Sequence, residues 1–166
     1  MHRASDLPVL VAGGGIGGIA AALALVRQGF AVRVLEQMPQ IGEIGAGIQL
    51  GPNGFAAFDA LGVGPQARAR AVYTDCMVMH DALDEYEVAR VPTGEAFRAR
   101  FGNPYAVIHR ADVHASLLEG ARASGRIEIV TSTVVQRVEQ EGQGVTVHDA
   151  KGGTHRGVAL VAADGV

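Results

Sequence analysis

Residues 7–36 read LPVLVAGGGIGGIAAALALVRQGFAVRVLE, and this stretch decides the fold. Leu7–Ala12 is a short apolar run, the pattern of a strand buried on both faces. Ile16–Gln28 follows with Ile19, Ala20, Leu23 and Val26 on one side of a helical wheel, and Gly29 supplies the stop. Ala31–Glu36 is a second strand with β-branched residues at its centre. Strand, helix and strand within about 30 residues make a βαβ unit, whose strands must run parallel.

Between the first strand and the helix, Gly13-Gly14-Gly15-Ile16-Gly17-Gly18 satisfies G-x-G-x-x-G at positions 13, 15 and 18. The pattern is weak alone and specific when it follows a strand and opens a helix, as here. Gly13 permits a tight turn, Gly15 lets a pyrophosphate touch the backbone, and Gly18 with Ala22 lets the helix approach the sheet. The helix start offers unpaired N–H groups and a positive dipole end. Glu36 lies 18 residues beyond Gly18, where an acid accepts hydrogen bonds from ribose hydroxyls. Its charge repels a 2′-phosphate, which suits FAD or NAD and not NADP.

Composition narrows the class. Lys plus Arg number 14 and Asp plus Glu 17, a net charge of −3 that leaves no electrostatic footprint for nucleic acid. Apolar residues at 48% and charged residues at 19% exclude a disordered chain. The single cysteine, Cys76, excludes an internal disulfide and a Cys-based zinc site, and its apolar neighbours predict a small core residue. His109 and His114 miss the i, i+4 spacing of a helical metal pair, so no metal is expected. No apolar stretch is long enough to span a bilayer, and Met1–Leu7 does not read as a signal peptide. A cytoplasmic location with no membrane partner is expected.

The glycine-rich stretch IGEIGAGIQLGPNG at 41–54 is long for a connection and suits backbone lying against a flat, wide ligand. A simple NAD-binding domain usually turns directly into its next helix. Asn53–Leu61 predicts a short helix stopped by Gly62. Asp75–Ala82 and Glu85–Val91 predict two strands, with Asp81, Asp84, Glu85 and Glu87 at a solvated turn. Arg110–Ser124 predicts a helix with Val113, Leu117, Leu118 and Ala121 on one face. A cation at its start, Arg110, opposes the dipole unless an anion or polar ligand sits there; pairing with Asp112 or solvent is the other reading. Ile127–Val130 predicts a buried strand, and Val134–Glu141 with Gly144–Asp149 a hairpin joined by Gly142 and Gln143. Gly157–Ala163 predicts one more buried strand, followed by only Asp164, Gly165 and Val166. Such a strand normally leads into a covering helix, so the chain is expected to be the N-terminal part of a longer protein. The isolated chain is expected to aggregate or to form a homodimer through the uncovered strand.

With these residues in place, the chain resembles the single-component FAD-dependent aromatic hydroxylases, relatives of p-hydroxybenzoate and salicylate hydroxylase. VLVAGGGIGGIAAALALVRQG at 9–29, VLEQ at 34–37, IGEIGAGIQLGPNG at 41–54, HRADVHASL at 109–117 and VAADG at 161–165 carry the resemblance, which runs through the whole chain. The stretch at 43–54 looks most like the branch that acts on 3-hydroxybenzoate. The resemblance implies an α/β fold: a parallel Rossmann-like FAD-binding sheet of the glutathione-reductase type with an antiparallel hairpin crossover, all within one domain, 1–166. Gly13, Gly15 and Gly18 would hold the FAD pyrophosphate, and Glu36, with Gln37 beside it, the adenosine ribose. Gly45–Gln49, with Gly47 and Gln49 foremost, would lie near the isoalloxazine, and Arg110 near the ribityl–phosphate segment. Val135 would meet adenine through its backbone, and Asp164 with Gly165 matches an Asp-Gly motif tied to FAD and nicotinamide.

The implied activity is that of a flavoprotein monooxygenase of aromatic catabolism. It would hydroxylate a small aromatic acid such as 3-hydroxybenzoate or salicylate, with NADH as co-substrate and O2. The family's later Gly-Asp motif, its substrate-binding sheet and its phenol-activating residues are not in this sequence. No catalytic residue is therefore assigned, and the chain alone is expected to be inactive. An NAD-dependent dehydrogenase domain and a non-catalytic nucleotide-binding fragment are the alternatives.

Overall fold

A computed structural model describes residues 7–42, 45–142 and 144–165. In chain order the elements are β1 (Val9–Ala12), α1 (Ile16–Arg27), β2 (Val32–Leu35), β3 (Gly47–Leu50), α2 (Pro52–Leu61), α3 (Gly64–Arg70), β4 (Val72–Tyr73), β5 (Cys76–His80), β6 (Glu87–Pro92), α4 (Glu95–Phe101), β7 (Ala106–His109), α5 (Arg110–Ala123), β8 (Ile127–Val130), β9 (Val135–Glu141), β10 (Gly144–Asp149), β11 (Thr154–Gly157) and β12 (Ala159–Ala162). They fall into two compact units, Met1–Ile44 with His114–Val166, and Gly45–Val113.

The first unit is built on a four-stranded sheet in the order β12-β1-β2-β8. All its pairings are parallel, as the βαβ reading requires. Every residue of β1 is buried, and so are Val32, Val34 and Leu35 of β2. Arg33 turns outward to Glu128 at 2.8 Å. Helix α1 buries Gly18, Ile19, Ala22 and Leu23, so Ala22 takes the place expected of Ala20. The chain turns after Gln28 through Gly29, at φ +93°. In α5 the residues Leu117, Leu118 and Ala121 are buried, the face read from the sequence.

Between β8 and β12 the chain makes an antiparallel excursion, β9-β10-β11. Val147 of β10 packs on Leu10 and Leu35, anchoring the excursion to the parallel sheet. The predicted strand Gly157–Ala163 is two elements. Gly157 closes β11 opposite Val145, and Ala159 opens β12 beside Val9. A side chain at 157 would stand 2.6 Å from Leu10 Cγ and 2.7 Å from the Pro8 carbonyl oxygen, so only glycine lets the chain change sheets here. An apolar run carries no mark of such a change, because both halves favour extended backbone. β12 is also the sheet's edge among the described strands: Ala159 and Ala162 are exposed, where a buried strand was predicted.

The second unit holds a three-stranded antiparallel sheet, β3-β7-β4, and a two-stranded ribbon, β5-β6. Phe55, Phe58, Val63, Ala67, Ala106 and Ile108 are buried in it. Helix α2 ends at Gly62 in the left-handed region, φ +80°, as predicted. Helices α3 and α4, seven residues each, were not predicted: GPQARAR and EAFRARF are too short and too charged to show an apolar period. The ribbon matches the two predicted strands, and the residues Asp81, Asp84, Glu85 and Glu87 are exposed. Cys76 is exposed as well, contrary to the expectation of a core residue. It opens one strand of the ribbon, with an Arg90 guanidinium N–H 3.5 Å from its sulfur.

Candidate functional site

In the first unit, β1, β2 and β12 end at one edge of the sheet, where ligands of open α/β sheets lie. Gly13 makes the turn out of β1 at φ +100°, and its N–H donates to the Leu35 carbonyl at 2.8 Å. A Cβ at 13 would run into the Ala163 carbonyl and stand 2.9 Å from Asp164 Cα. Glycine is thus required there twice, by conformation and by space. Gly18 faces back on the same turn, and a Cβ on it would collide with the Gly13 carbonyl oxygen. Gly15 is the N-cap of α1 in extended conformation, and no side chain caps the helix. Its carbonyl accepts from Ile19 N–H at 3.0 Å.

Glu36 sits just past β2. One carboxylate oxygen accepts from Gly14 N–H at 2.6 Å and the other from Met38 N–H at 2.7 Å. The acid expected to meet a ribose therefore also fastens the glycine loop. A carboxylate has about four acceptor positions, so each oxygen keeps one. Gly14, Gly15, Glu36, Met38, Gln40, Ile41 and Gly42 enclose a cleft of about 310 Å³. Gln37 is exposed and is not part of that lining; Met38 and Gln40 are. Ser132 N–H donates to the Met38 carbonyl at 3.0 Å and Thr133 N–H to the Glu36 carbonyl at 2.9 Å. These bonds bring the approach to Val135 alongside the cleft's rim; Val135 is half-buried at the start of β9. Asp164 and Gly165 follow β12 beside Gly13, with Gly165 at φ +85°.

From the sequence His114 is weighed only as a metal ligand, with His109, and is given no place in the nucleotide site. It is 1% exposed on α5, and its Nε2 lies 2.6 Å from the Gly14 carbonyl oxygen. Only the histidine's place in an otherwise apolar helix face could have drawn attention to it.

In the second unit, the glycine-rich stretch is more regular than predicted. From Gly47 it is a strand, pairing Gly47 with His109 and Gln49 with Val107. Gly47 and Gln49 share the exposed face, while Leu50 is buried. Glu43 and Ile44 lie outside the described residues. Arg110 opens α5 as predicted, is exposed, and donates its N–H to the Ala46 carbonyl at 3.2 Å. A Cβ at Gly45 would stand 3.2 Å from both Cβ and Cδ of Arg110, so glycine leaves room for that side chain's stem. Asp112 lies 3.9 Å from Arg70 Nε.

Among the described residues no group of three or more His, Cys, Asp or Glu could hold a metal ion. Nor is any helix among the described residues long and apolar enough to cross a membrane.

The chain is 71% identical over 162 residues to the 3-hydroxybenzoate 6-hydroxylase of Polaromonas naphthalenivorans (strain CJ2), which covers 98% of this chain and 40% of that protein. It is 51% identical over 162 residues to the 3-hydroxybenzoate 6-hydroxylase of Klebsiella oxytoca, covering 98% and 41%. Among solved structures, Klebsiella pneumoniae HpxO complexed with FAD and uric acid superposes with a TM-score of 0.82 at 28% identity, over 97% of this chain and 40% of that one. The chain thus spans about 40% of the length of the curated relatives it matches. The glycine turn, the uncapped helix start and the acid past β2 all lie within residues 6–166, the span that the family model described as FAD binding domain matches, and the chain belongs to that family.

Proposed function

We propose that this chain is the N-terminal part of the FAD-binding domain of a flavin-dependent monooxygenase. Its substrate would be a phenolic acid, 3-hydroxybenzoate first and salicylate next, with NADH and O2 as co-substrates. The observation that carries the reading is the 71% identity, over 98% of the chain, to a 3-hydroxybenzoate 6-hydroxylase.

The residues present suit FAD. A helix start without a side-chain cap offers its N–H groups to a pyrophosphate, and glycine backbone with no Cβ allows close approach. Glu36 keeps two acceptor positions for the ribose, and its charge disfavours a 2′-phosphate. In this reading Gly13, Gly15 and Gly18 form the pyrophosphate cradle, and Val135 offers backbone to adenine. Gly47, Gln49 and Arg110 serve the isoalloxazine and ribityl ends, with Gln37 and Asp164 at the margins. FAD, when bound, supplies the electron transfer from NADH to O2 and the delivery of one oxygen atom to the ring. The chain's own residues bind and orient it; none is assigned an acid or base role. Cytoplasmic placement, a homodimer and a part in aromatic catabolism belong to the same reading. A dehydrogenase domain is not favoured.

The test uses the full-length protein. NADH oxidation and O2 uptake should rise together when 3-hydroxybenzoate is added, with a dihydroxybenzoate formed. NADH oxidation without O2 uptake, or no hydroxylated product from any monohydroxybenzoate, would reject the proposal.

A further inference from the structure

His114 is the one buried titratable side chain among the described residues. The rest of its helix face is filled more simply, by Leu117, Leu118 and Ala121. A leucine at 114 would be buried at lower cost than an imidazole, which must keep its polar atoms satisfied. Its Nε2 lies 2.6 Å from the carbonyl oxygen of Gly14, a hundred positions away in sequence. A carbonyl can only accept, so Nε2 carries the proton and donates.

Gly14 is held from its other end as well, through its N–H to Glu36 at 2.6 Å. The Gly14 carbonyl and the Gly15 N–H belong to one peptide group, which is trans, since no cis bond occurs among the described residues. In a trans peptide the C=O and N–H point in opposite directions. Drawing the carbonyl towards buried His114 therefore aims the Gly15 N–H the other way, and Gly15 lines the cleft. Without the imidazole, a glycine-flanked peptide has little else to stop it rotating.

We propose that His114 is a positioning residue: it orients the Gly14–Gly15 peptide so that the Gly15 N–H is presented to the ligand's pyrophosphate. The inference rests on the FAD reading for the identity of that ligand.

The experiment uses the apo form of the full-length protein and three probes, FAD, ADP and adenosine. His114→Phe keeps the ring and removes the donor. FAD and ADP should bind about tenfold more weakly, as expected for one lost hydrogen bond, while adenosine, lacking the pyrophosphate, binds as before. His114→Gln keeps an N–H donor and should recover most of the loss. Equal weakening of ADP and adenosine, or unchanged FAD and ADP, would overturn the proposal. Failure of the wild type to bind FAD would instead overturn the cofactor reading, and the inference with it. Should His114→Phe not fold, selective ¹⁵N-histidine spectra of the wild type decide. They should show His114, identified by its absence in His114→Gln, as a slowly exchanging Nε2–H tautomer, and an Nδ1–H tautomer would refute the assignment.

Discussion

Replacing Glu36 tests how the glycine loop is held. Its two carboxylate oxygens accept from Gly14 N–H at 2.6 Å and Met38 N–H at 2.7 Å. Glu36→Gln leaves one oxygen acceptor; the amide NH2 faces the other backbone N–H, which loses its partner. Hydrogen bonds to charged groups contribute about 1.5–3 kcal/mol net. Glu36 is half-buried, so water takes over part of that role, and a loss of about 1–2 kcal/mol remains. Glu36→Ala removes both acceptors and should cost roughly twice as much. The assay pairs urea unfolding of the apo full-length protein with FAD titration by flavin fluorescence. Glu36→Gln should lower the unfolding midpoint and weaken FAD about tenfold or more, since loop and ribose contact suffer together. An apo protein as stable as wild type, with FAD affinity unchanged, would refute both roles of Glu36.

Gly13→Ala should destabilise the apo protein by about 2 kcal/mol or more, because φ +100° is strained for alanine and its Cβ meets the Ala163 carbonyl; a melting temperature within error of wild type would contradict this. Arg110→Ala should weaken FAD binding by about 1.5–3 kcal/mol, and Arg110→Lys should recover only part, because lysine lacks the forked geometry. Equal affinities across the three forms would remove Arg110 from the site. Asp149 is held below the usual carboxylate range, first by the Gly153 N–H, then by the Lys151 N–H, with His155 adding to it. Its contribution is therefore present above the unfolded-state value and is lost as pH falls through the lower folded value. Asp149→Asn should flatten the stability curve below about pH 4, and an unchanged acid limb would count against that network.

The first βαβ unit was legible because three signals coincide: a buried apolar strand, glycines at fixed offsets, and an acid where the second strand ends. Val9–Ala12, Ile16–Arg27 and Val32–Leu35 all lie within the predicted spans. Glycine stops at 29 and 62 were equally plain, since only positive φ explains them. The break at Val158 was not legible, because pairing partners and not local preference decide where one sheet ends and another begins. Nor was Gly47–Leu50, a strand whose glycine is tolerated by its pairing with β7. At the site, the sequence pointed to Glu36 through its spacing but not to its bonds with Gly14 and Met38. The bond of His114 to the loop was not legible either, because its partner is a backbone carbonyl, which leaves no trace in side-chain chemistry.

In the proposed reading, the glycine turn, helix start and Glu36 make the FAD site of a monooxygenase. Its most direct measurement is denaturation of the purified full-length protein, with the released cofactor identified by mass and quantified. FAD should be recovered in amounts equimolar with protein. Recovery of FMN or NADP, or of no flavin even after incubation with excess FAD, would contradict it.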